Sequence, residues 1–290
     1  MGDLAVNLFC FGLGYCADYL SAKLIKQGWH VSATCRTPEK AAIMEASGIR
    51  PVLLSGKELI PTELGNADHV LLSAPPEQDG SDPVLNLVGK KALVALQDQL
   101  KWVGYLSTTG VYGDHQGAWI DEETPVGPLS DRGNRRVLAE AQWASTGLPM
   151  HYFRLAGIYG PGRNSLRALQ SGTARRIFKE GQVFSRIHLA DITAILEASI
   201  AKPNAGRAYS VCDDAPAPPQ DVVSFAANLM GVSPPALQDF ATAELSPMAR
   251  SFYGENKRIR NNRIKEELGV TLLYPNYRVG LSALWESKTY

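Results

Sequence analysis

Apolar residues fall into short runs separated by stretches of helical period, and this alternation begins at the N-terminus. Leu4 to Phe11 is an apolar run closed by Gly12, the pattern of a strand buried on both faces. Tyr15 to Gln27 follows with Leu20, Leu24 and Ile25 on one stripe and predicts a helix stopped by Gly28. Further strands are predicted at Trp29–Cys35, Pro51–Leu54, His69–Ala74, Trp102–Ser107 and Met150–Leu155. Helices are predicted at Pro38–Ser47, Val84–Leu100 and Arg132–Ala144. Pro75 and Pro76 break the fourth strand, and the polar stretch from Gly113 to Pro128 reads as a loop. Strands that alternate with helices in this way imply an α/β fold, a doubly wound parallel sheet of Rossmann type.

After Gly157 the pattern loosens. Ile187–Ile200 and Ala208–Cys212 read as a return to the main sheet, and Pro216, Pro218 and Pro219 mark a boundary. Beyond it the chain is expected to be mostly helical. The expected organisation is a dinucleotide-binding domain over 1–160 with 185–213 returning to it. Residues 161–184 and 214–290 form a smaller, mostly helical C-terminal lobe on the substrate side.

The segment between the first strand and the first helix carries candidate chemistry. Gly12-Leu13-Gly14-Tyr15-Cys16-Ala17 is a GxGxxA pattern. Gly12 permits a tight turn, Gly14 lets a pyrophosphate approach the backbone, and Ala17 allows close helix–strand packing. The glycine pattern is weak in isolation, but here it follows a strand and opens a helix in a βαβ unit, the context that dinucleotide binding requires. Ser73, Ala74 and Pro75, at the end of the fourth strand, are expected to line the same cofactor. The second strand ends at Cys35 and is followed by Arg36. An acidic residue there would suit a ribose hydroxyl, whereas an arginine suits a 2′-phosphate. Arg36, assisted by Thr37 and Lys40, therefore favours NADP(H) over NAD(H).

Composition narrows the class. Lys+Arg and Asp+Glu are both 29, so the chain has no basic excess to neutralise nucleic-acid phosphates. Cys10, Cys16, Cys35 and Cys212 have no metal-ligand spacing and read as reduced thiols. No metal site is expected. The N-terminus lacks a basic leader, Val6 is outside the usual myristoylation context, and no run of about 18 apolar residues occurs. These features predict a cytoplasmic protein without membrane or nucleic-acid partners. In Val84–Leu100, the residues Val84, Leu85, Leu87, Val88, Leu93, Val94, Leu96 and Leu100 cover more than one stripe of a helix.

Several later motifs extend the picture: Ser107-Thr108-Thr109-Gly110-Val111-Tyr112-Gly113, Asp121-Glu122-Glu123-Thr124-Pro125, Tyr159-Gly160-Pro161-Gly162 and Arg186-Ile187-His188-Leu189-Ala190-Asp191. With the glycine loop, they make the chain resemble the extended and atypical short-chain dehydrogenase/reductases, the NAD-dependent epimerase/dehydratase-like proteins, over nearly its whole length. The resemblance implies that Thr108 hydrogen-bonds a substrate carbonyl or alcohol oxygen. It implies a Tyr and a Lys four apart on the next helix, a tuned phenol working as acid and base. Here Arg132 stands at the Tyr position and Arg136 at the Lys position. Arg136 keeps a charge for the nicotinamide ribose, but a guanidinium does not deprotonate, so the standard proton relay is absent. The alternative is a solvated basic face shared with Arg135. Family members often pair the helix at 84–100 and the next one between subunits, which implies a homodimer.

Tyr112 and Tyr159 read as structural, and Asp114 and His115 as solvated loop residues. Asp191 reads as a helix N-cap and His188 as a core histidine. Nucleotide-sugar enzymes of the family often carry an Arg where this chain has Phe184; Arg186 lies two positions on. The expected function is an NADP(H)-dependent oxidoreductase for a small carbonyl or alcohol. Thr108 would position the reacting oxygen, and Arg132 would stabilise negative charge on it. Arg163, Arg175 and Arg176 hint at an anionic substrate. The alternative is a non-catalytic NADP(H)-binding or redox-sensing protein, and a nucleotide-sugar epimerase or dehydratase is less favoured.

Overall fold

A computed structural model describes residues 6–55 and 59–290. Seven strands form the main sheet: β1 (Asn7–Phe11), β2 (His30–Cys35), β3 (Arg50–Leu53), β4 (His69–Leu72), β5 (Trp102–Thr108), β6 (Met150–Leu155) and β7 (Ala208–Val211). Leu4 and Ala5, the first residues of the predicted first strand, lie outside the described residues. The order across the sheet is β7-β6-β5-β4-β1-β2-β3. β1 pairs in parallel with β2 and β4, β2 with β3, and β4 with β5. β4 and β6 are buried along their whole length, as the apolar run of β4 suggests, and β6 also buries His151 and Arg154. The chain lays β1, β2 and β3 outward, then returns to place β4 on the other side of β1. The topological switch point therefore lies between the carboxyl ends of β1 and β4, where open α/β sheets bind ligands.

The chain divides into two compact units. The first contains the residues up to Ser107 together with Asn134–Phe153 and Leu196–Ala208. Its core joins Phe9 and Phe11 of β1, Val70 and Leu72 of β4, Val103 and Tyr105 of β5, and Ala139 and Trp143. The helix Tyr15–Lys26 buries Cys16, Ala17, Leu20, Ser21 and Leu24, the face that the sequence periodicity marks.

The long helix expected over Val84–Leu100 is instead two short ones, Pro83–Val88 and Lys90–Val94. Gly89 separates them at φ 82°, a conformation that stops the first helix. Asp82 caps that helix by accepting from the amides of Val84 (2.9 Å) and Leu85 (3.1 Å), and its other oxygen accepts from Trp143 Nε1 (2.9 Å). Val84, Leu93 and Leu100 belong to the core of this unit, and Leu85, Leu87, Val88 and Leu96 pack against it. Much of the apolar stripe is thus taken up within the chain, while Val94 is exposed.

The second unit contains Thr108–Gly133, Arg154–Ile195 and Tyr209–Tyr290. The segment between β5 and the helix Asp131–Ala144 packs here, and it is not all loop. Trp119–Ile120 pairs in parallel with Arg258–Ile259. Leu237–Asp239 pairs likewise with Arg176–Phe178, so two short strands interrupt the mostly helical C-terminal region. Tyr159, Leu166, Ala217, Val222, Ala226, Tyr277, Leu281 and Leu284 form a core cluster of this unit. Among the described residues no helix is long and apolar enough to cross a membrane.

Candidate functional site

In the first unit the glycine loop sits on its neighbours at the carboxyl ends of the strands. Gly12 takes φ +83° and turns the chain from β1 toward the helix Tyr15–Lys26. The amides of Ser73 and Ala74 donate to Phe11 O at 3.1 and 3.0 Å, and the Gly12 amide donates to Thr34 Oγ1 at 2.8 Å. These bonds tie together the ends of β1, β2 and β4. Gly14 is the N-cap of the helix, extended and exposed, and offers no side-chain acceptor to the first-turn amides. The positive end of a helix favours an anion. Leu13 and Tyr15 are half-buried and Cys16 is buried; Ser73 and Ala74 are half-buried and Pro75 exposed. The predicted loop residues thus converge on the switch point. A dinucleotide pyrophosphate would be held there by the Gly12–Cys16 backbone.

Arg36 is exposed immediately after β2. Thr37 caps the helix Pro38–Ala46, its Oγ1 accepting from the Lys40 amide at 3.3 Å. Its hydroxyl oxygen is thereby engaged as a cap. Arg136 belongs to this unit too and is no freely solvated charge. Its Nη1 donates to Tyr105 Oη (3.0 Å) and Leu106 O (2.8 Å), and its guanidinium lies 5.4 Å from the Tyr105 ring centre. Burial pushes the Tyr105 phenol up to about 12. One turn further, Glu140 accepts from Ser107 Oγ at 2.5 Å. The helix is therefore latched to the end of β5 on the Arg136 and Glu140 face. Sequence reasoning missed Tyr105 and Glu140, although Glu140 follows Arg136 at the i+4 spacing that puts both on one face.

The other expected catalytic residues lie in the second unit. Thr108 Oγ1 accepts from the Gly110 amide at 3.1 Å, so its hydroxyl keeps a proton to give. Gly133 presses the start of the next helix onto that turn: a Cβ there would stand 2.7 Å from both Gly110 O and Pro128 Cβ. Arg132, just before it, holds its guanidinium 4.2 Å from the centre of the Phe252 ring. The two phenols of the motifs are engaged within the fold. Tyr112 is buried, shares a hydrogen bond with Ser210 Oγ (3.0 Å) and accepts from Arg154 Nη1 (3.1 Å). Tyr159 is buried and donates to Asn276 O at 3.4 Å. Burial raises both phenols above the ordinary range.

Several sequence readings change here. Asp191 is not an N-cap: its carboxylate accepts from the amides of Leu273 (2.7 Å) and Tyr274 (3.1 Å). His188 does the capping, Nδ1 accepting from the Ala190 amide at 3.1 Å, and burial pushes its imidazole down to about 4. Its Nε2 finds no partner among the described residues, so the histidine is buried but only half satisfied there. Asp114 accepts from the amides of Gln116 and Asn256, and His115 Nε2 meets Tyr112 O at 3.1 Å, so neither is a purely solvated loop residue. Arg186 donates to Phe184 O (2.8 Å) and Ala217 O (3.1 Å), closing the bridge between those two residues. Arg175 donates to Glu244 O and Arg176 to Pro235 O. Arg175 and Arg176 are thus held by backbone carbonyls, and Arg163 is exposed. Asp213, which the sequence did not single out, is buried and pushed up to about 7 by that burial. Its Oδ1 accepts from the Ala215 amide at 3.1 Å, and its Oδ2 has no partner among the described residues. All four cysteines are free and buried.

Comparison with known proteins places the chain. Protein YeeZ of Escherichia coli strain K12 is 30% identical over 279 residues, covering 91% of this chain and 95% of that protein. The chain belongs to the YeeZ family. A solved structure of a functionally unknown conserved protein from Silicibacter pomeroyi DSS is 53% identical, with a TM-score of 0.92 over 99% of this chain and 100% of that one. A dTDP-glucose 4,6-dehydratase from Bacillus anthracis, solved in complex with NAD, is 17% identical, with a TM-score of 0.75 over 98% of this chain and 97% of that one. The fold is therefore that of the extended short-chain dehydrogenase/reductases, the NAD-dependent epimerases and dehydratases, as the motifs imply. No protein-family model matches the chain.

Proposed function

We propose that this protein binds NADP(H) at the carboxyl ends of β1, β2 and β4 and uses it as an oxidoreductase on a small, anionic carbonyl or alcohol. The observation that carries the proposal is the glycine loop. It lies at the switch point, is tied to Thr34 and to Ser73-Ala74, and opens a helix whose N-cap supplies no acceptor of its own. The Bacillus anthracis dehydratase of the same fold holds NAD. Arg36 favours the 2′-phosphate form. When bound, the cofactor supplies the hydride.

In this reading the Thr108 hydroxyl donates a hydrogen bond to the substrate oxygen and keeps its proton. Arg132, oriented by its stack on Phe252, stabilises negative charge on the substrate. Arg136 grips the cofactor. The proton of the reaction comes from water, because Tyr112 and Tyr159 are buried and committed elsewhere.

The same commitment favours a second reading, a dinucleotide-binding sensor without turnover. NADPH oxidation across a panel of small keto acids and aldehydes separates the two. The enzyme reading expects oxidation that Thr108→Ala and Arg132→Ala each lower at unchanged NADPH affinity. Tight NADPH binding with no oxidation by any member of the panel supports the sensor.

A further inference from the structure

We infer that Tyr105 is a positioning residue, which fixes Arg136 as a fork of donors at the β5 end of the dinucleotide site. The inference rests on the dinucleotide reading above and adds to it a residue that touches no ligand. In the sheet order β5-β4-β1-β2, the glycine loop after β1 stands between Arg36, after β2, and Arg136, held on the end of β5. Neighbouring strands are about 4.8 Å apart, so the ends of β2 and β5 are separated by about 14 Å. The two arginines thus mark opposite ends of one row of strand termini.

The hydrogen-bond inventory of Arg136 is specific. A guanidinium carries five N–H donors in one plane. Both donors of Nη1 are taken, one by Tyr105 Oη and one by Leu106 O. For the three donors on Nη2 and Nε, the described residues supply no acceptor. Glu140, a carboxylate on the same helix face, accepts from Ser107. The guanidinium also lies over the Tyr105 ring, which restricts it further. An arginine held by one nitrogen and presenting the rest of its fork is built to receive acceptor oxygens, those of a ribose or phosphate. A lysine carries its three donors on one nitrogen and has no planar fork to present beyond the two bonds to Tyr105 and Leu106. The arginine at this position and the buried tyrosine beneath it therefore form one device. The Tyr105 hydroxyl acts through Arg136 and never meets the ligand, being fully buried within β5.

Calorimetric binding of NADP+ and of adenosine 2′,5′-bisphosphate to four proteins tests this: the wild type, Tyr105→Phe, Arg136→Ala and the double variant. The bisphosphate carries the adenosine end only. Tyr105→Phe should weaken NADP+ roughly threefold to tenfold, the range for one hydrogen bond, and leave the bisphosphate unchanged. In the Arg136→Ala background the same change should have less than about a twofold effect, because the two residues act as one unit. Equal weakening in both backgrounds, equal weakening of both ligands, or no weakening would overturn the inference. Arg136→Lys tests it without touching the core: NADP+ affinity should fall to about the Arg136→Ala level, and full retention would count against the fork. A wild type that binds neither nucleotide would instead sink the dinucleotide reading on which the inference stands.

Discussion

Asp213→Asn should stabilise the protein in alkaline solution and do progressively less as the pH falls. Asp213 is 1% exposed, and its Oδ2 has no hydrogen-bond partner among the described residues. The Ala215 amide and the charge of Arg186 favour its ionised form, while Asp191 and Asp214 oppose it, and burial outweighs them all. The carboxyl therefore titrates at about 7 in the folded chain against 3.8 when unfolded. Between those values the folded state binds more protons than the unfolded one, so stability falls as the pH rises. The full window corresponds to about 4 kcal/mol at about 1.4 kcal/mol per pKa unit, and the part between about pH 5 and pH 8 to some 2–3 kcal/mol. Asparagine keeps the acceptor for Ala215 and carries no charge. The stability difference between variant and wild type should widen by that amount from about pH 5 to pH 8. Urea unfolding of both proteins across this range, followed by tryptophan fluorescence, measures it. A difference that stays flat with pH would refute the reasoning, because it would mean that Asp213 is ionised, or neutral, in both states throughout.

Three other outcomes are expected. His151 and His188 are both buried and held down to about 4, so each removes about 3 kcal/mol of stability as the pH falls from 6.5 toward 4; His151→Gln should flatten that acid limb in urea unfolding. Gly133→Ala should cost about 1–3 kcal/mol in thermal unfolding, because its Cβ meets backbone at Gly110 O, which cannot move aside as a side chain tip could. Gly14→Val should fold normally, since its Cβ meets only Ser73 Oγ at 3.5 Å, and should lose NADPH binding by calorimetry.

What the sequence made legible was local. The β1–loop–helix unit reads directly because its strand, its glycines and its buried helix face lie within 20 or so contiguous residues, each with its own periodicity. The helix at 84–100 misread because the apolar pattern continues across Gly89, while the break depends on one backbone angle. Gly89 itself, and Asp82-Pro83 before it, were the available signals. The roles of Asp191, His188 and Arg186 were beyond reach for a different reason. Asp191 answers amides 82 and 83 residues away, and Arg186 a carbonyl 31 residues away. A buried polar side chain is assigned by its partner, and only tertiary structure brings that partner close. Arg136 shows both sides: its place in the motif was readable, and its attachment to Tyr105 was not.

Titration of NADPH and NADH against the wild type and Arg36→Ala reports directly on whether the glycine loop and Arg36 bind NADP(H). The wild type should bind NADPH more tightly than NADH, and Arg36→Ala should weaken NADPH by about 1.5–3 kcal/mol, the value of a charge-assisted contact, while leaving NADH nearly unchanged. Equal affinity of the wild type for the two cofactors would contradict the assignment of Arg36, and binding of neither would contradict the account as a whole.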